Sequence, residues 1–510
     1  MNRLLFLSAL GLTAAGAAAQ QTERPNVIFL VADDLGYGDL SCYGAQRVQT
    51  PAVDSVAQAG IRFTDAHAVA STSTPSRYSL LTGEYSFRRP DTGVAAGNAA
   101  LIIRPDQYTL ADAFRAQGYA TAALGKWHLG LGAQTGKQDW NGEIAPGPAD
   151  LGFDYSYIMA ATADRVPCVY IENGRVANLD PAAPIEVSYR QNFPGEPTGR
   201  ENPELLTKLR PSHGHDQSIV NGISRIGYMK GGGRALWQDE SIADSIVSHA
   251  VAFMEREAGK RPFFMYLCTN DVHVPRYPAD RFRGKSPMGL RGDAILQFDW
   301  TVGRITEALR RLGIAENTLL VITSDNGPVL DDGYADRAEE LAGGHKPGGP
   351  FRGGKYSAFE AGTTVPFIVS WPGRIEGGRT DSALVSHVDA LASMASLVGT
   401  QLPQGAGPDS RDCLDTWLGR RAGGQRDYVV TTGNNRNLEV RTEEWKYIEP
   451  RQGGPMVNWG PKIETGNSRE PQLYRRTGGN DERRNVAAEH PDLVRQFQEV
   501  AARVKAGAAQ

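Results

Sequence analysis

The sequence predicts an α/β fold in which a mostly parallel central sheet is sandwiched by helices, followed by a smaller C-terminal α+β domain with a short antiparallel sheet. Three observations predict it. Short apolar runs have the length of buried strands, segments with helical spacing separate them, and the runs become shorter and more polar after residue 400. With 510 residues, the chain is long enough for a large core and two domains.

Four apolar runs in the main part of the chain match buried strands of a parallel sheet. They are Asn26–Ala32, Tyr119–Leu124, Phe263–Cys268 and Leu319–Thr323. Apolar residues at helical spacing between Ile295 and Leu312 predict a helix directly before the last run. This alternation of strands and helices favours parallel strands joined by helical connections.

The C-terminal part shows another pattern. A Gly- and Pro-rich segment, Gln401–Pro408, indicates a boundary, so we expect one domain at residues 20–400 and a second at residues 401–510. A final helix is predicted at Pro491–Lys505. Three short antiparallel strands are predicted before it, at Asp427–Thr431, Leu438–Thr442 and Trp445–Ile448.

The first nineteen residues predict a secretory signal. Arg3 supplies the positive end, Leu4–Leu12 a short apolar core, and Ala17–Ala19 a small-residue cleavage site. The apolar core is too short to span a membrane, so we expect no stable membrane insertion and a periplasmic or extracellular location. The net charge of −4 gives no indication of a nucleic-acid partner. The four cysteines contain no CxxC pair, which argues against zinc and leaves any disulfide pairing open.

Each of the four strands in the main domain is followed by charged or imidazole side chains. Ligands of open parallel sheets bind just beyond the carboxyl ends of the strands. A single acid pair after a strand is often only a turn former, but four such strand ends together indicate a functional site. The side chains are Asp33 and Asp34, Lys126 and His128, Asp271 and His273, and Asp325 and Asn326.

Asp33, Asp34, Asp325 and Asn326 offer three carboxylates and an amide oxygen. Oxygen ligands of this kind suit a hard cation, either calcium or magnesium. Three converging acids would repel one another without positive charge, so either a metal ion or a nearby cluster of lysines and arginines is expected among them.

The segment Ser73-Thr74-Pro75-Ser76-Arg77 is followed by Leu81-Thr82-Gly83. By itself it predicts the start of a helix, with Thr74 as N-cap, Pro75 at the first helical position and Arg77 one turn beyond Ser73. It also resembles the maturation signature of the type I, formylglycine-dependent sulfatases of the alkaline phosphatase superfamily. In that family a Cys or Ser at the first position is oxidised to formylglycine.

Other motifs extend this resemblance from residue 25 to about residue 490. They are Gly125-Lys126-Trp127-His128, His273 before Val274-Pro275, and Arg352-Gly353-Gly354-Lys355 before Phe359-Glu360-Ala361-Gly362. The chain departs from the family pattern near its end, where Leu473-Tyr474 leads into Arg475-Arg476-Thr477 in place of an acidic run. That departure affects a packing strand and leaves the catalytic set intact.

The resemblance implies sulfate ester hydrolysis by a covalent mechanism. Its implied cofactors are one calcium ion and formylglycine at Ser73. His273 would be the acid for the leaving group, and His128 the base that releases sulfate. The implied catalytic set is Ser73, Arg77, Lys126, His128, His273 and Lys355, and the implied calcium ligands are Asp33, Asp34, Ser73, Asp325 and Asn326.

A serine at the first signature position also implies a partner and a host. In serine-type sulfatases, an oxygen-independent radical maturation enzyme performs the oxidation. The resemblance therefore implies an anaerobic-type sulfatase-maturing enzyme as partner, in an anaerobic bacterium.

The substrate class is predicted from weaker motifs. Asn221–Tyr228 and His345-Lys346-Pro347 resemble bacterial carbohydrate sulfatases that act on 6-sulfated N-acetylgalactosamine or galactose. Two alternatives stay open: a phosphoester or phosphonate hydrolase of the same superfold, and a non-catalytic sulfoglycan-binding protein with unmodified Ser73. The expected substrate-binding residues are Asp164, Arg165, His213, His215 and His345.

Overall fold

A computed structural model describes residues 24–434, 436–476 and 482–507. The predicted signal at residues 1–19 lies outside this range and stays a prediction. No helix within the described residues is both long enough and apolar enough to cross a membrane.

A ten-stranded mixed sheet forms the centre of the molecule, in the order β14-β2-β13-β12-β1-β11-β3-β4-β5-β6. Its strands are β1 Asn26–Ala32, β2 Gly60–His67, β3 Ala120–Lys126, β4 Tyr155–Met159, β5 Tyr170–Glu172, β6 Arg175–Val176, β11 Phe263–Cys268, β12 Thr318–Ser324, β13 Phe367–Ser370 and β14 Arg379–Ser386. Small two-stranded sheets pair β7 Glu186–Ser188 with β10 Tyr228–Lys230, and β8 Ile219–Val220 with β9 Ile223–Ser224.

The parallel block β12-β1-β11-β3-β4 contains all four predicted strands. The bounds predicted for β1 and β11 are confirmed, and β12 extends one residue further at each end. β3 starts one residue later than predicted and continues through Lys126, which pairs with Met159 of β4. Every residue of β1, β3, β11 and β12 is buried, as expected for strands covered on both faces.

Two groups of mutually packed helices accompany the sheet. One contains α1, α4 and α5, and the other contains α2, α3 and α6. The helix predicted between Ile295 and Leu312 is α5, and it buries Ile295, Phe298, Val302 and Ile305. The helices are α1 Pro51–Gln58, α2 Ser73–Thr82, α3 Leu110–Arg115, α4 Ile242–Glu257, α5 Gly289–Arg311, α6 Ala390–Val398, α7 Leu414–Trp417 and α8 Pro491–Lys505.

A four-stranded antiparallel sheet, β15-β16-β17-β18, lies in the C-terminal part. Its strands are β15 Val429–Thr432, β16 Leu438–Arg441, β17 Trp445–Ile448 and β18 Gln472–Arg475. The bounds of β17 and α8 agree with the prediction, and the α+β character of this part is confirmed. The ring of Phe497 in α8 stacks on Tyr447 of β17, with 5.9 Å between ring centroids. The domain boundary near residue 401 stays a prediction.

The C-terminal sheet also contacts the segment that precedes Ser73. Ser71 N donates to Thr432 O at 3.0 Å, and Thr432 N donates to Val69 O at 2.9 Å. The end of β15 therefore fixes the backbone that leads into α2.

None of the four cysteines forms a disulfide bond in this structure.

Candidate active site

The sheet order brings the four predicted strand ends to one edge. β12, β1, β11 and β3 are neighbours in that order and run parallel. Their carboxyl ends therefore deliver Asp325, Asp33, His273 and Lys126 to a common region. All four of these side chains are buried.

Oxygen atoms of the predicted metal ligands converge at this edge. Asn326 Nδ2 donates to Asp34 Oδ1 at 2.8 Å, and Asn326 Oδ1 accepts from Ser73 Oγ at 3.3 Å. Asp34 N donates to Asp325 Oδ1 at 3.2 Å. One ligand atom each from Asp33, Asp34 and His273 lie within 4.8 Å of one another, although the sequence did not indicate His273 as a ligand.

The environment of Asp33 fits a cation. Neither of its carboxylate oxygens has a hydrogen-bond partner among the described residues, and both are buried. Lys126 Nζ lies 2.6 Å from Asp33 Oδ2, but outside hydrogen-bond geometry. Burial raises the pKa of Asp33 well above its usual range, with Asp325 and Asp34 adding to the shift and Lys126 opposing it. A hard cation would supply the missing partner.

Two cations nevertheless lie among the acids. Arg77 donates to Asp325 Oδ2 through Nε at 3.0 Å and Nη2 at 2.7 Å, and Lys126 Nζ donates to Ser73 Oγ at 2.8 Å. Burial opposes ionisation of Asp325, but Arg77 and Lys126 hold its pKa below the usual range. The sequence left a metal ion and a basic cluster as alternatives, and the site has room for both. Arg77 pairs with Asp325, whereas the carboxylate oxygens of Asp33 have no hydrogen-bond partner among the described residues and can coordinate a cation.

Ser73 is the first residue of α2, and Thr72 is its N-cap. The prediction that Thr74 caps this helix is wrong by two residues. The hydroxyl of Thr74 makes tertiary hydrogen bonds instead. Thr74 Oγ1 donates to His128 O at 2.9 Å and accepts from Ala95 N at 3.1 Å. This contact joins the start of α2 to the segment that carries His128.

Lys355 lies on the other side of the acid cluster. Its Nζ donates to Asp34 Oδ2 and to Asp332 Oδ2, each at 2.8 Å. Tyr356 donates its hydroxyl to Asp332 Oδ1 at 2.9 Å. Burial opposes ionisation of Asp332, but Lys355 lowers its pKa. Sequence reasoning missed Asp332, which no motif marks.

The two histidines are held by main-chain carbonyl groups. A carbonyl oxygen only accepts, so the bonds to Ala95 O (2.9 Å) and Val274 O (2.6 Å) place a proton on His128 Nε2 and on His273 Nδ1. The remaining His128 Nδ1 is buried and lacks a hydrogen-bond partner among the described residues. His273 Nε2 lies 3.8 Å from Asp34 Oδ2. Burial lowers the pKa of both imidazoles, and Lys126 adds to the shift.

Four residues of this region adopt the left-handed backbone conformation that favours glycine. They are Asp34 (φ 57°), His128 (φ 56°), His215 (φ 52°) and Tyr356 (φ 73°). Such conformations cost roughly 1–3 kcal/mol each and cluster where function fixes a side-chain direction. Their concentration here supports an active site.

A pocket with a volume of about 270 Å³ opens onto these groups. It brings together many of the predicted catalytic and substrate-binding residues. Its lining residues are Thr72, Ser73, Val94, His128, Asp164, Arg165, His215, Ile226, His273, Asp332, Lys355, Tyr356, Asn434 and Trp459. Tyr356, Asn434 and Trp459 were not predicted, because no local pattern distinguishes them from other loop residues.

Three of the predicted substrate-binding residues form one charged group in the pocket. Asp164 Oδ2 accepts from His215 Nε2 at 2.9 Å, and Asp164 Oδ1 accepts from Arg165 Nη1 at 3.0 Å. Since His215 Nδ1 also donates, to His213 O at 3.0 Å, this imidazole carries both protons. Burial opposes that state, but Asp164 raises the pKa of His215.

The other two predicted substrate-binding residues lie elsewhere. His213 is not among the pocket residues, and its Nδ1 lies 3.7 Å from Asp331 Oδ1. His345 Nε2 lies 2.8 Å from Asp39 Oδ1, and Arg291 also pairs with Asp39. His345 lines a separate cavity with Arg47 and Lys346.

The fold and the site together define a hydrolase of anionic esters, and comparison with known proteins gives its family. A family model described as Sulfatase matches residues 25–400, so the chain belongs to the sulfatase family. It is a sulfuric ester hydrolase with the fold of the alkaline phosphatase superfamily. Sulfatases generally use formylglycine and a metal ion.

Similarity extends over nearly the whole chain. An N-acetylgalactosamine-6-O-sulfatase of Bacteroides thetaiotaomicron is 50% identical over 486 residues, which are 95% of this chain and 94% of that protein. Human arylsulfatase A is 31% identical over 395 residues, 77% of this chain and 68% of that protein. A solved 6S-sulfatase structure from work on glycosaminoglycan metabolism in Bacteroides thetaiotaomicron has a TM-score of 0.92 and 50% identity, and covers 95% of this chain and 100% of that one.

Proposed function

We propose that this sulfatase removes the 6-O-sulfate from N-acetylgalactosamine, or from galactose, at the non-reducing end of a glycan. The observation that carries the proposal is the 50% identity over 486 residues with an N-acetylgalactosamine-6-O-sulfatase. Asp164, Arg165 and His215 lie in the same pocket as Ser73. They support a sugar substrate, because a carboxylate accepts hydrogen bonds from sugar hydroxyls while guanidinium and imidazole groups donate to them.

The sulfate group would bind between Ser73 and Lys355. Lys126 and Lys355 bring ammonium groups to this region, and the N-terminal end of α2 adds a favourable dipole for an anion. In sulfatases, formylglycine supplies an aldehyde hydrate whose hydroxyl is the nucleophile. Lys126 Nζ, at 2.8 Å from Ser73 Oγ, would orient that hydroxyl and stabilise its deprotonated form.

The metal ion is proposed to be calcium, held by Asp33, Asp34, Asp325 and Asn326 together with residue 73. All of these ligands are hard oxygens, and the oxygens of Asp33 lack hydrogen-bond partners among the described residues. Bound there, calcium would neutralise sulfate charge and lower the pKa of the nucleophilic hydroxyl. Arg77 would keep the Asp325 carboxylate ionised and fixed in direction.

His273 and His128 are proposed to move protons. His273 Nδ1 is bound to Val274 O, so Nε2 is the nitrogen that can serve the leaving sugar oxygen. The positive charge of Lys355 lowers the pKa of His273. A negatively charged sulfate bound beside Lys355 would offset this effect and favour the protonated imidazole that an acid requires. His128 presents an unprotonated Nδ1, which suits the base that releases sulfate and restores the aldehyde.

Asp164, Arg165 and His215 are proposed to distinguish galactose-type from glucose-type sugars. Burial opposes ionisation of Asp164, but Arg165, His273 and His215 hold its pKa well below the usual range, so it is a carboxylate that accepts from hydroxyls. Galactose-type sugars differ from glucose-type sugars by an axial O4. A site that hydrogen-bonds this hydroxyl rejects the epimer, because its buried polar groups would be left unpaired.

A substrate panel tests the proposal. It contains 6-sulfated N-acetylgalactosamine, galactose and N-acetylglucosamine, with 4-sulfated N-acetylgalactosamine as the control for position. We expect the galactose-type 6-sulfates to have the highest kcat/KM. Preference for 6-sulfated N-acetylglucosamine or for the 4-sulfate would contradict the proposed substrate, and preference for a phosphate ester of the same leaving group would favour the phosphoester alternative.

Export and maturation complete the proposal. The apolar N-terminal run supports secretion across the inner membrane, and the serine at position 73 supports an anaerobic-type maturing enzyme as partner. N-terminal sequencing of the protein from a periplasmic extract tests the first point. A mature N-terminus near Gln20 is expected.

A further inference from the structure

A second cavity lies directly beside the catalytic pocket. Its volume is about 220 Å³, close to the 270 Å³ of the catalytic pocket. The two cavities share Tyr356, Asn434 and Trp459 as lining residues. The second cavity is also lined by Gly453, Gly454, Met456, Val457, Asn458, Thr465 and Asn467. The two cavities are therefore immediate neighbours, separated by no more than these three side chains.

A hairpin at residues 455–465 contributes half of the residues that line this cavity. Its two sides are joined by Val457 N to Ile463 O and Thr465 N to Pro455 O, both 2.9 Å. Four contacts attach it to the main domain. They are Ala358 N to Thr465 O at 2.9 Å, Ser357 Oγ to Glu464 O at 2.6 Å, and the ion pairs Arg352–Glu464 at 2.6 Å and Lys462–Glu339 at 2.5 Å. The cavity is thus a fixed part of the fold.

The hairpin tip lies against predicted sugar-binding residues. A Cβ atom on Gly460 would lie 2.2 Å from His213 Nε2, so only glycine fits at this position. His213 therefore supports the hairpin tip, while His215, two residues further, lines the catalytic pocket. This contact fixes the neighbouring Trp459 relative to the sulfate-binding region.

Exposed apolar surface is concentrated around the two cavities. Among the described residues, four large hydrophobic side chains are strongly exposed: Val94, Leu205, Met456 and Trp459, at 43–45%. All of them except Leu205 line one or both cavities. The Trp459 ring meets Tyr356 edge-on, at 5.0 Å and 81°. An exposed, supported aromatic face is a platform for the apolar face of a sugar ring.

The polar groups of the second cavity carry no charge. Asn434, Asn458 and Asn467 contribute amides, and Thr465 contributes a hydroxyl. Such groups match sugar hydroxyls. A carboxylate would lose water there without meeting a cation from the lining, which is unfavourable.

We propose that this second cavity binds the sugar that follows the sulfated residue in the glycan, and that this sugar is neutral. The proposal rests on the proposed function of the catalytic pocket. It implies that the enzyme prefers the end of a chain to a free monosaccharide.

The test compares kcat/KM on 6-sulfated N-acetylgalactosamine with kcat/KM on a disaccharide in which galactose follows that sugar. We expect the wild-type enzyme to favour the disaccharide by about tenfold, which corresponds to about 1.4 kcal/mol. Asn458→Ala and Trp459→Ala should reduce this ratio to near one. Because both values come from the same enzyme, a general loss of activity cancels in the ratio.

Leu205→Ala is the matched control, since it removes an equally exposed hydrophobic side chain that lines neither cavity. It should keep the wild-type ratio. Two results would overturn the assignment of the second cavity and leave the proposed function standing. One is an equal kcat/KM on both compounds in the wild type, and the other is an unchanged ratio in both cavity variants. No hydrolysis of either compound would contradict the proposed function as well. A larger gain with glucuronate than with galactose as second sugar would overturn the assignment to a neutral sugar.

Discussion

Replacement of His273 by alanine should slow hydrolysis of a sugar sulfate far more than hydrolysis of an aryl sulfate. A sugar leaves as an alkoxide and needs a proton, whereas a phenolate leaves without one. His273 is buried, and its Nδ1 is bound to Val274 O at 2.6 Å, so a single nitrogen faces the leaving group. Of the other imidazoles in the pocket, His215 is paired with Asp164, and His128 is proposed to act in the later step that releases sulfate.

The size of the effect follows from the loss of one positioned acid. General acid catalysis contributes about 10²–10⁴-fold, so kcat/KM on the 6-sulfated sugar should fall by this factor, or by about 3–5 kcal/mol in activation free energy. On an aryl sulfate such as 4-nitrophenyl sulfate the loss should stay below about tenfold. His273→Gln keeps a polar side chain but delivers no proton, so it should behave like the alanine variant on the sugar.

The assay measures sulfate release from the sugar and phenolate absorbance from the aryl ester, with the same enzyme preparations. Thermal unfolding in the presence of calcium checks that both variants fold and keep the metal site. Equal losses on the two substrates would refute the role of His273 as acid. So would full activity of His273→Gln on the sugar.

Three further predictions follow from the same site and its surroundings. Oxidation of Ser73 to formylglycine should lower the intact mass of the mature protein by about 2 Da, and Ser73→Ala should abolish turnover while leaving the fold intact; an active alanine variant would contradict the nucleophile assignment. Chelation should remove activity, and calcium should restore it better than zinc because the ligands are hard oxygens; a strict zinc requirement would contradict the calcium site. Burial lowers the pKa of His387 to about 4, so its neutral form stabilises the folded protein above about pH 6.5 and this stability is lost as the pH falls towards 4. The loss should be roughly 3 kcal/mol, and chemical denaturation of His387→Gln should show a smaller decrease over that window; an identical pH dependence in both proteins would contradict it.

Much of the fold, and the convergence of the candidate site residues, could be predicted from the sequence. Strands that are buried on both faces are continuous apolar runs, so β1 and β11 could be located to the residue. Parallel strands end at one edge, which is why Asp33, His273 and Asp325 could be expected together although they are far apart in the chain. The oxygen ligands among these side chains then indicated a hard cation, and the resemblance to sulfatases implied a sulfate ester.

Other features depend on tertiary contacts that leave no local pattern. The antiparallel direction of β13 cannot be read from its apolar residues, because burial on both faces looks the same in either direction. Thr74 looked like a helix cap, but His128 O and Ala95 N take its hydroxyl, and the helix begins at Ser73. Asp332 is recognised as a site residue only from its tertiary contacts, which are its bonds to Lys355 and Tyr356 and its place in the pocket wall.

The side of the pocket that contains His215 shows this limit most clearly. His213 and His215 are two residues apart and looked equivalent in the sequence, yet His215 lines the pocket and His213 supports the hairpin that carries Trp459. His345 matched a family motif but pairs with Asp39 at a different cavity. The sequence alone determined the strands and the chemistry at their ends, because these follow from local apolar pattern and sheet geometry. The directions of the loop side chains that line the pocket were decided only by the tertiary structure, because loops have no periodicity and contacts between distant segments set these directions.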